Sequence, residues 1–487
     1  MKYDVVIIGS GLGGLQCGYI LAKRGMRVCV LERAALLGGC LQVFKRGEAR
    51  FDTGFHYVGG MDEGQPLHRL FSYFGLTELP WTRMDDQFDL VTVNGRTYPF
   101  TQGYEGFYDH LTKAFPSQRE GLKAYLRFLK NTGDHIFDSF KPREASDFYG
   151  TSLFARPAKA FLDETVSDPL LRDVLAGTSL KMELTAQLPL YTFAQINNSF
   201  IQSAWRLKGG GGQIAESLAE RIRAMGGDVR TRAEVTQLEE GNGKIAAALT
   251  ADERFEANWF ISDAHPATTL SWLKDCTLIR NIYRRRISAL PNTFGMFTVN
   301  LRLKPGALPA CRYNRYIYQD ADLWRYQAGR TDRVLVNYYP EEGEYATRLD
   351  LLTPMLWGEV RPWAEMPMGR RGQSYVEMKL DKTEACVRLA GRQIPGLEDA
   401  IERDFTSTPL SYEHYTKTAE GSAYGIRKDF ANPMGTVLTP KTPVPNLLLT
   451  GQNLNLHGIL GVSMTSFFTT AEILGMETVT DELFKLY

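Results

Sequence analysis

The chain has 487 residues, 44% of them hydrophobic, with 56 basic and 56 acidic side chains. That balance excludes a nucleic-acid binder, which carries a basic excess, and the length supports two domains around a large core. The six cysteines show no Cys-x-x-Cys spacing, so they indicate neither a zinc site nor a redox pair.

In chain order, Val5 to Ile8 is an apolar run that reads as a buried parallel strand. It breaks into Gly9-Ser10-Gly11-Leu12-Gly13-Gly14, and Leu15 to Arg24 then reads as a helix. The first glycine permits a tight turn, the second lets backbone approach a diphosphate, and the third lets the helix pack closely on the strand. The diphosphate would rest on the helix N-terminus, where free N–H groups and the helix dipole favour an anion. A second strand, Val28 to Leu31, ends on Glu32, placed to accept hydrogen bonds from a ribose diol. This context predicts a dinucleotide site, either NAD or FAD. The residues beyond Glu32 decide for FAD: a second glycine pair at Gly38-Gly39 before Cys40, then Phe51-Asp-Thr-Gly54-Phe-His56-Tyr57-Val-Gly-Gly60 returning to the same sheet edge.

These residues resemble the FAD-dependent amine oxidase and phytoene desaturase superfamily. The Gly-Gly-Cys turn with Phe-Asp-x-Gly-x-His-Tyr-x-Gly is most similar to its branch of all-trans-retinol 13,14-reductases and carotenoid isomerases. The resemblance implies a Rossmann-like α/β FAD-binding domain of the glutathione-reductase type with an interleaved α+β substrate domain. It also implies a flavin enzyme acting on a long polyene or isoprenoid-like lipid. It places the cofactor on Gly9, Ser10, Gly11, Leu12, Gly13, Gly14, Glu32, Arg33, Gly38, Gly39, Cys40 and Gly54.

Further along, Leu67 to Phe74 reads as a short helix, and Phe88 to Phe100 alternates around Asn94-Gly95, a hairpin. Tyr104–Phe115, Gln118–Thr132 and Pro157–Leu162 read as amphipathic helices. The aromatics in and between them, up to Phe148 and Tyr149, fit either an ordinary core or an apolar tunnel. Four glycines (Gly209 to Gly212) precede a helix with Ile214, Leu218 and Ile222 on one face, and Asp228–Thr231 reads as a strand. The superfamily has Pro-x-Gly-Gly here, whereas Leu207 stands at the proline position. No apolar strand leads into these glycines, which argues against a nicotinamide subsite. By the resemblance, Val235 offers its backbone to the adenine, and Ser262 to Pro266, after the strand Phe255–Ile261, is the turn where the chain leaves for the substrate domain. His265 reads as a turn residue rather than a catalyst.

Between Pro266 and Tyr424 the pattern predicts strands near Thr293–Leu303, Tyr313–Tyr318, Arg333–Tyr339 and Gln373–Lys379, with helices at Thr383–Gly391 and Leu397–Phe405. Arg284-Arg285-Arg286 is a basic cluster, either a solvated face or a contact for anionic lipid. Near the end, an apolar strand reaches Gly451-Gln452, and a helix opens near Gly461-Val462. By the resemblance, Gln452 touches the diphosphate or ribityl chain in place of an acid, and the helix N-terminus faces the flavin N1–C2=O edge. The reading therefore divides the chain into residues 1–80, 206–266 and 425–487 for FAD, and 81–205 and 267–424 for substrate.

Saturating a C=C bond needs a proton donor beside the flavin. His56 and Tyr57 are the first candidates and His457 the next. Cys40 reads as a small residue close to the cofactor rather than a redox thiol. Two other readings stay open: an amine oxidase, and a prenyl-lipid carrier of the GDP-dissociation-inhibitor type. The expected partners are an apolar polyene and an electron donor or acceptor that these residues leave unnamed. The spread cysteines, and a first strand needed in the fold rather than as a signal peptide, point to a cytoplasmic protein. Without an apolar run of ~18 residues, any membrane contact is peripheral.

Overall fold

The computed structural model describes residues 2–141, 152–274, 276–340 and 342–485. Phe148 and Tyr149 lie outside the described residues. The α/β architecture with an interleaved α+β part is what the structure has. One seven-stranded sheet runs Asp228–Arg230, Val28–Leu31, Lys2–Ile8, Arg254–Ser262, Lys244–Leu249, Gln237–Gly241, with Leu447–Leu449 added beside Arg254–Ser262. The parallel pairs align Ile8 with both Leu31 and Ser262, and Ser262 with Leu449. Four strands therefore end at one level, and in sheets of this kind the ligand crevice lies outside those carboxyl ends. Val5, Val6 and Ile7 are wholly buried, as a strand covered on both faces requires. The helix Leu12–Lys23 is buried from Leu12 to Ala22 and packs against the long helix Gly458–Leu474.

A second seven-stranded sheet runs Ile401–Ser407, Gly295–Leu303, Arg348–Met355, Arg333–Tyr338, Asn314–Tyr318, Gln87–Val93, Arg96–Thr101. Its last two strands form the expected hairpin, with Asn94 and Gly95 at φ 50° and 76°. A two-residue turn of that type needs positive φ at both positions. Val58–Gly59, Ala204–Leu207 and Trp81–Arg83 form a separate three-stranded sheet.

Three elements depart from the sequence reading. Residues 373–379 are helix, part of Gln373–Gly391, in place of the expected strand. The buried positions Tyr375, Lys382, Cys386, Leu389 and Ala390 follow the helical period over a longer window than the local alternation. The expected helix Leu397–Phe405 stops at Ala400, and Ile401–Ser407 is an edge strand on Gly295–Leu303. Its exposed Glu402, Arg403 and Asp404 carry no strand propensity, and the neighbouring strand decides the conformation. Arg348–Met355, a buried central strand, was hidden by Pro354, which sits near its end.

Candidate functional site

The nucleotide end of the site is built from backbone. Lys2–Ile8 turns at Gly9, with φ 104°. A Cβ on Gly14 would stand 2.2 Å from the Gly9 carbonyl oxygen, so only glycine lets the helix approach the strand this closely. Gly11 caps that helix with no side chain of its own; Leu12 and Gly13 of the first turn line the cavity, while the Gly14 amide is taken by Asp263. Glu32 is held in place: its carboxylate accepts from the Ser10 amide at 3.1 Å, the Ser10 hydroxyl at 2.7 Å and the Ala34 amide at 2.7 Å. Ser10 also accepts from the Gly38 amide, at its carbonyl (3.0 Å) and its hydroxyl (3.2 Å), which fixes the second glycine turn against the first.

Asp263 occupies the middle of this cradle. A Cβ on Gly11 would lie 2.3 Å from its Oδ2, and one on Gly451 would lie 2.4 Å from its Oδ1. Two glycines from opposite ends of the chain thus flank one carboxyl group. Burial pushes the Asp263 carboxyl up to about 7, opposed by the Gly14 amide and reinforced by the charge of Glu32.

From Glu32 and Val235 a cavity of about 670 Å³ runs past the glycine turns to a wall of Met296, Leu335, Leu352, Leu456, Phe200 and Tyr316. That volume is ordinary for a cofactor or ligand cleft. Of the candidates named from sequence, Gly9, Gly11, Leu12, Gly13, Glu32, Arg33, Gly38, Gly39, Cys40, Gly54, His56, Tyr57, Val235, Gln452, His457 and Val462 line it. Ser10, Gly14, Gly451 and Gly461 stand outside the lining, and so does Ser262, whose hydroxyl pairs with that of Thr269 at 2.7 Å. The turn residue that reaches the cavity is Asp263 in its place. Burial pushes the Cys40 thiol up and keeps it protonated, against the opposing pull of the Thr418 hydroxyl at 4.0 Å. His265 is a helix cap, its Nδ1 accepting from the Ala267 amide.

The far end is built from side chains. Asp89, fully buried, accepts from the Tyr57 hydroxyl (2.8 Å), from Lys181 Nζ (2.8 Å) and from Asn314 Nδ2 (3.2 Å). The Tyr57 proton goes to Asp89, so Tyr316 donates to Tyr57, at 2.6 Å. The Lys181 ammonium sits 3.6 Å from the centre of the Phe200 ring and 4.9 Å from that of Tyr57. Burial pushes Lys181 down to about 8, while Asp89 resists the fall. His457 donates from Nε2 to the Lys181 carbonyl at 3.1 Å and lies against Tyr424, whose hydroxyl donates to the Leu180 carbonyl. Burial pushes both His56 and His457 down to about 4, so each imidazole is neutral at pH 7.

Lys181, Asp89, Tyr316 and Asp263 were missed from sequence. Asp89 offered one signal, an acid inside an otherwise apolar strand. Lys181, in Leu-Lys-Met, offered none.

The family model described as flavin containing amine oxidoreductase matches residues 12–290. An all-trans-retinol 13,14-reductase of Danio rerio is 26% identical over 535 residues, covering 99% of this chain and 88% of that protein. A chloroplastic prolycopene isomerase of Arabidopsis thaliana is 26% identical over 54% of this chain and 47% of its own length. Among solved structures, putrescine oxidase bound to putrescine superposes with a TM-score of 0.65 at 18% identity, over 97% of this chain and 99% of that one. At that identity the likeness is one of fold.

Proposed function

The chain belongs to the family of flavin containing amine oxidoreductases, and from that premise we propose that it is an FAD-dependent oxidoreductase that saturates a C=C bond of a retinoid-like polyene. The residues fit the cofactor: glycine turns that line the cavity and pack too closely for any side chain, an acid fixed at the next strand end, and two helices whose first turns line the same cavity. The flavin supplies hydride transfer at N5. Glu32 takes the ribose, the N-terminus of Leu12–Lys23 takes the diphosphate, and the N-terminus of Gly458–Leu474 takes the electron-rich edge of the ring. We assign residues 1–80, 206–266 and 425–487 to this task and the remainder to substrate.

The observation that carries the reading is the apolar wall beyond the cofactor turns, where a protein ammonium already fills the aromatic box of Tyr57 and Phe200. An amine substrate would meet that charge and be repelled, whereas an uncharged polyene would not. Retention of the cofactor cradle speaks against a lipid carrier. Among the described residues no helix is long and apolar enough to cross a membrane. Exposed Met368 stands beside Tyr415, which lines the cavity and donates to the Met368 sulfur at 3.4 Å. This rim is where a membrane would hand over a lipid. The electron donor acts on the flavin from outside this set.

Anaerobic mixing of dithionite-reduced protein with retinoid and carotenoid polyenes tests the reading. Flavin reoxidation with a product two hydrogens heavier is expected. Reduction of the oxidised flavin by amines, together with no reoxidation of the reduced flavin by any polyene, would overturn it.

A further inference from the structure

Hydride addition to an alkene leaves an electron pair on the neighbouring carbon, and that pair requires a proton from the protein. The two histidines at this end are neutral at pH 7, and each retains only a weakly acidic N–H. Tyr57 directs its proton to Asp89, and Asp89 does not reach the cavity. Lys181 does reach it. Its side chain is 7% exposed, one donor is on Asp89, and the ammonium faces the Phe200 ring on the cavity wall. The turn that carries it is pinned through the Leu180 and Lys181 carbonyls by Tyr424 and by His457, the residue that caps Gly458–Leu474. That fixes the ammonium relative to the helix end assigned to the flavin ring.

We infer that the Lys181 ammonium, held by Asp89, is the general acid of the reaction, and that Tyr57 and Tyr316 are the route by which its proton is replaced. The inference rests on the polyene reading above. One alkene carbon accepts hydride from the reduced flavin, the π bond opens, and its electron pair takes a proton from Lys181 Nζ. The N–H bond breaks and a neutral amine remains. The substrate is reduced by two electrons and the flavin is oxidised by two. A shift of one proton along Tyr316, Tyr57 and Asp89 restores the ammonium, and Tyr316 draws on water in the cavity after product leaves.

The groups facing Lys181 set the sign of its pH dependence. Asp89 comes from Gln87–Val93, Tyr57 from the segment before Val58–Gly59, Tyr316 from Asn314–Tyr318 and His457 from the turn before Gly458–Leu474. Arg206 acts on Asp89 and Tyr57 from Ala204–Leu207, and Glu183, on the turn of Lys181, is paired with Arg427. Asp89 is the neighbour that supports the charged amine. Activity that needs the ammonium therefore falls as pH rises through about 8, and Asp89→Asn moves that fall to lower pH.

The experiment uses the flavin-loaded enzyme. Polyene saturation, flavin content and reoxidation by ferricyanide, which needs no proton on carbon, are compared in wild type, Lys181→Met and Asp89→Asn. Lys181→Met is expected to lower saturation about 100-fold while flavin content and ferricyanide reoxidation hold. In protein carrying [ε-13C]lysine, the resonance missing from Lys181→Met reports Lys181. Its titration is expected to follow the alkaline limb of the wild-type profile, with both moving down in pH in Asp89→Asn. Saturation by Lys181→Met within about threefold of wild type, or a limb that stays in place in Asp89→Asn, overturns the inference alone. A wild type reoxidised by ferricyanide and by no polyene overturns the substrate reading and the inference together.

Discussion

The two ends of the cavity are made in different ways. The nucleotide end consists of turns in which short contiguous stretches, Gly9 to Gly14 and Gly38 to Cys40, shape the backbone, with Glu32 and Asp263 the carboxyl side chains set among them. The far end consists of side chains from separated segments: Tyr57, Lys181 and Asn314 meet on the buried Asp89 carboxylate, with Tyr316 on Tyr57 and His457 on the Lys181 carbonyl behind them. A backbone cradle binds a group common to a whole family. A side-chain cluster can be altered one residue at a time, and so it is the end where one fold can hold different chemistries.

The contrast can be broken in order of size. Gly14→Val puts a branched side chain against the Gly9 carbonyl, and flavin retention on purification should be abolished, read from the absorbance of the pure protein. Normal flavin content would show that the close approach is dispensable.

A smaller effect tests Asp263. Its carboxyl is neutral below about 7 and charged above it, so the wild type should lose FAD affinity as pH rises from about 6 to 8, by up to about tenfold per pH unit. The sign comes from repulsion between a carboxylate and a diphosphate sharing one cradle. Asp263→Asn should flatten that dependence in fluorescence titrations, and an unchanged slope would place the titrating group elsewhere.

The smallest effect belongs to His56. Because its imidazole is neutral at pH 7, His56→Phe should change polyene reoxidation by less than about threefold. A larger loss in stopped-flow traces would return His56 to the acid role expected from sequence.

What was legible from sequence obeys the same division. Gly9, Gly11, Glu32 and the Asn94-Gly95 hairpin carry their conformational reasons within a few residues, and the structure has the turns they predict. Lys181 and Asp89 are 92 residues apart and meet only through tertiary packing, so neither residue's surroundings announce the other. The same physics separates Ile401–Ser407 from its expected helix, since an edge strand draws its conformation from the neighbour it joins.

The cradle also constrains synthesis. Gly13 packs against Gly451, Gln16 donates to Ser463 across 447 positions, and Leu447–Leu449 lies beside Arg254–Ser262. While a ribosome still holds that distant segment, the phosphate turn has only one of its two walls. Flavin loading therefore waits until Gly451 and the helix after it have been made, and nascent polypeptides halted before Leu447 should emerge colourless.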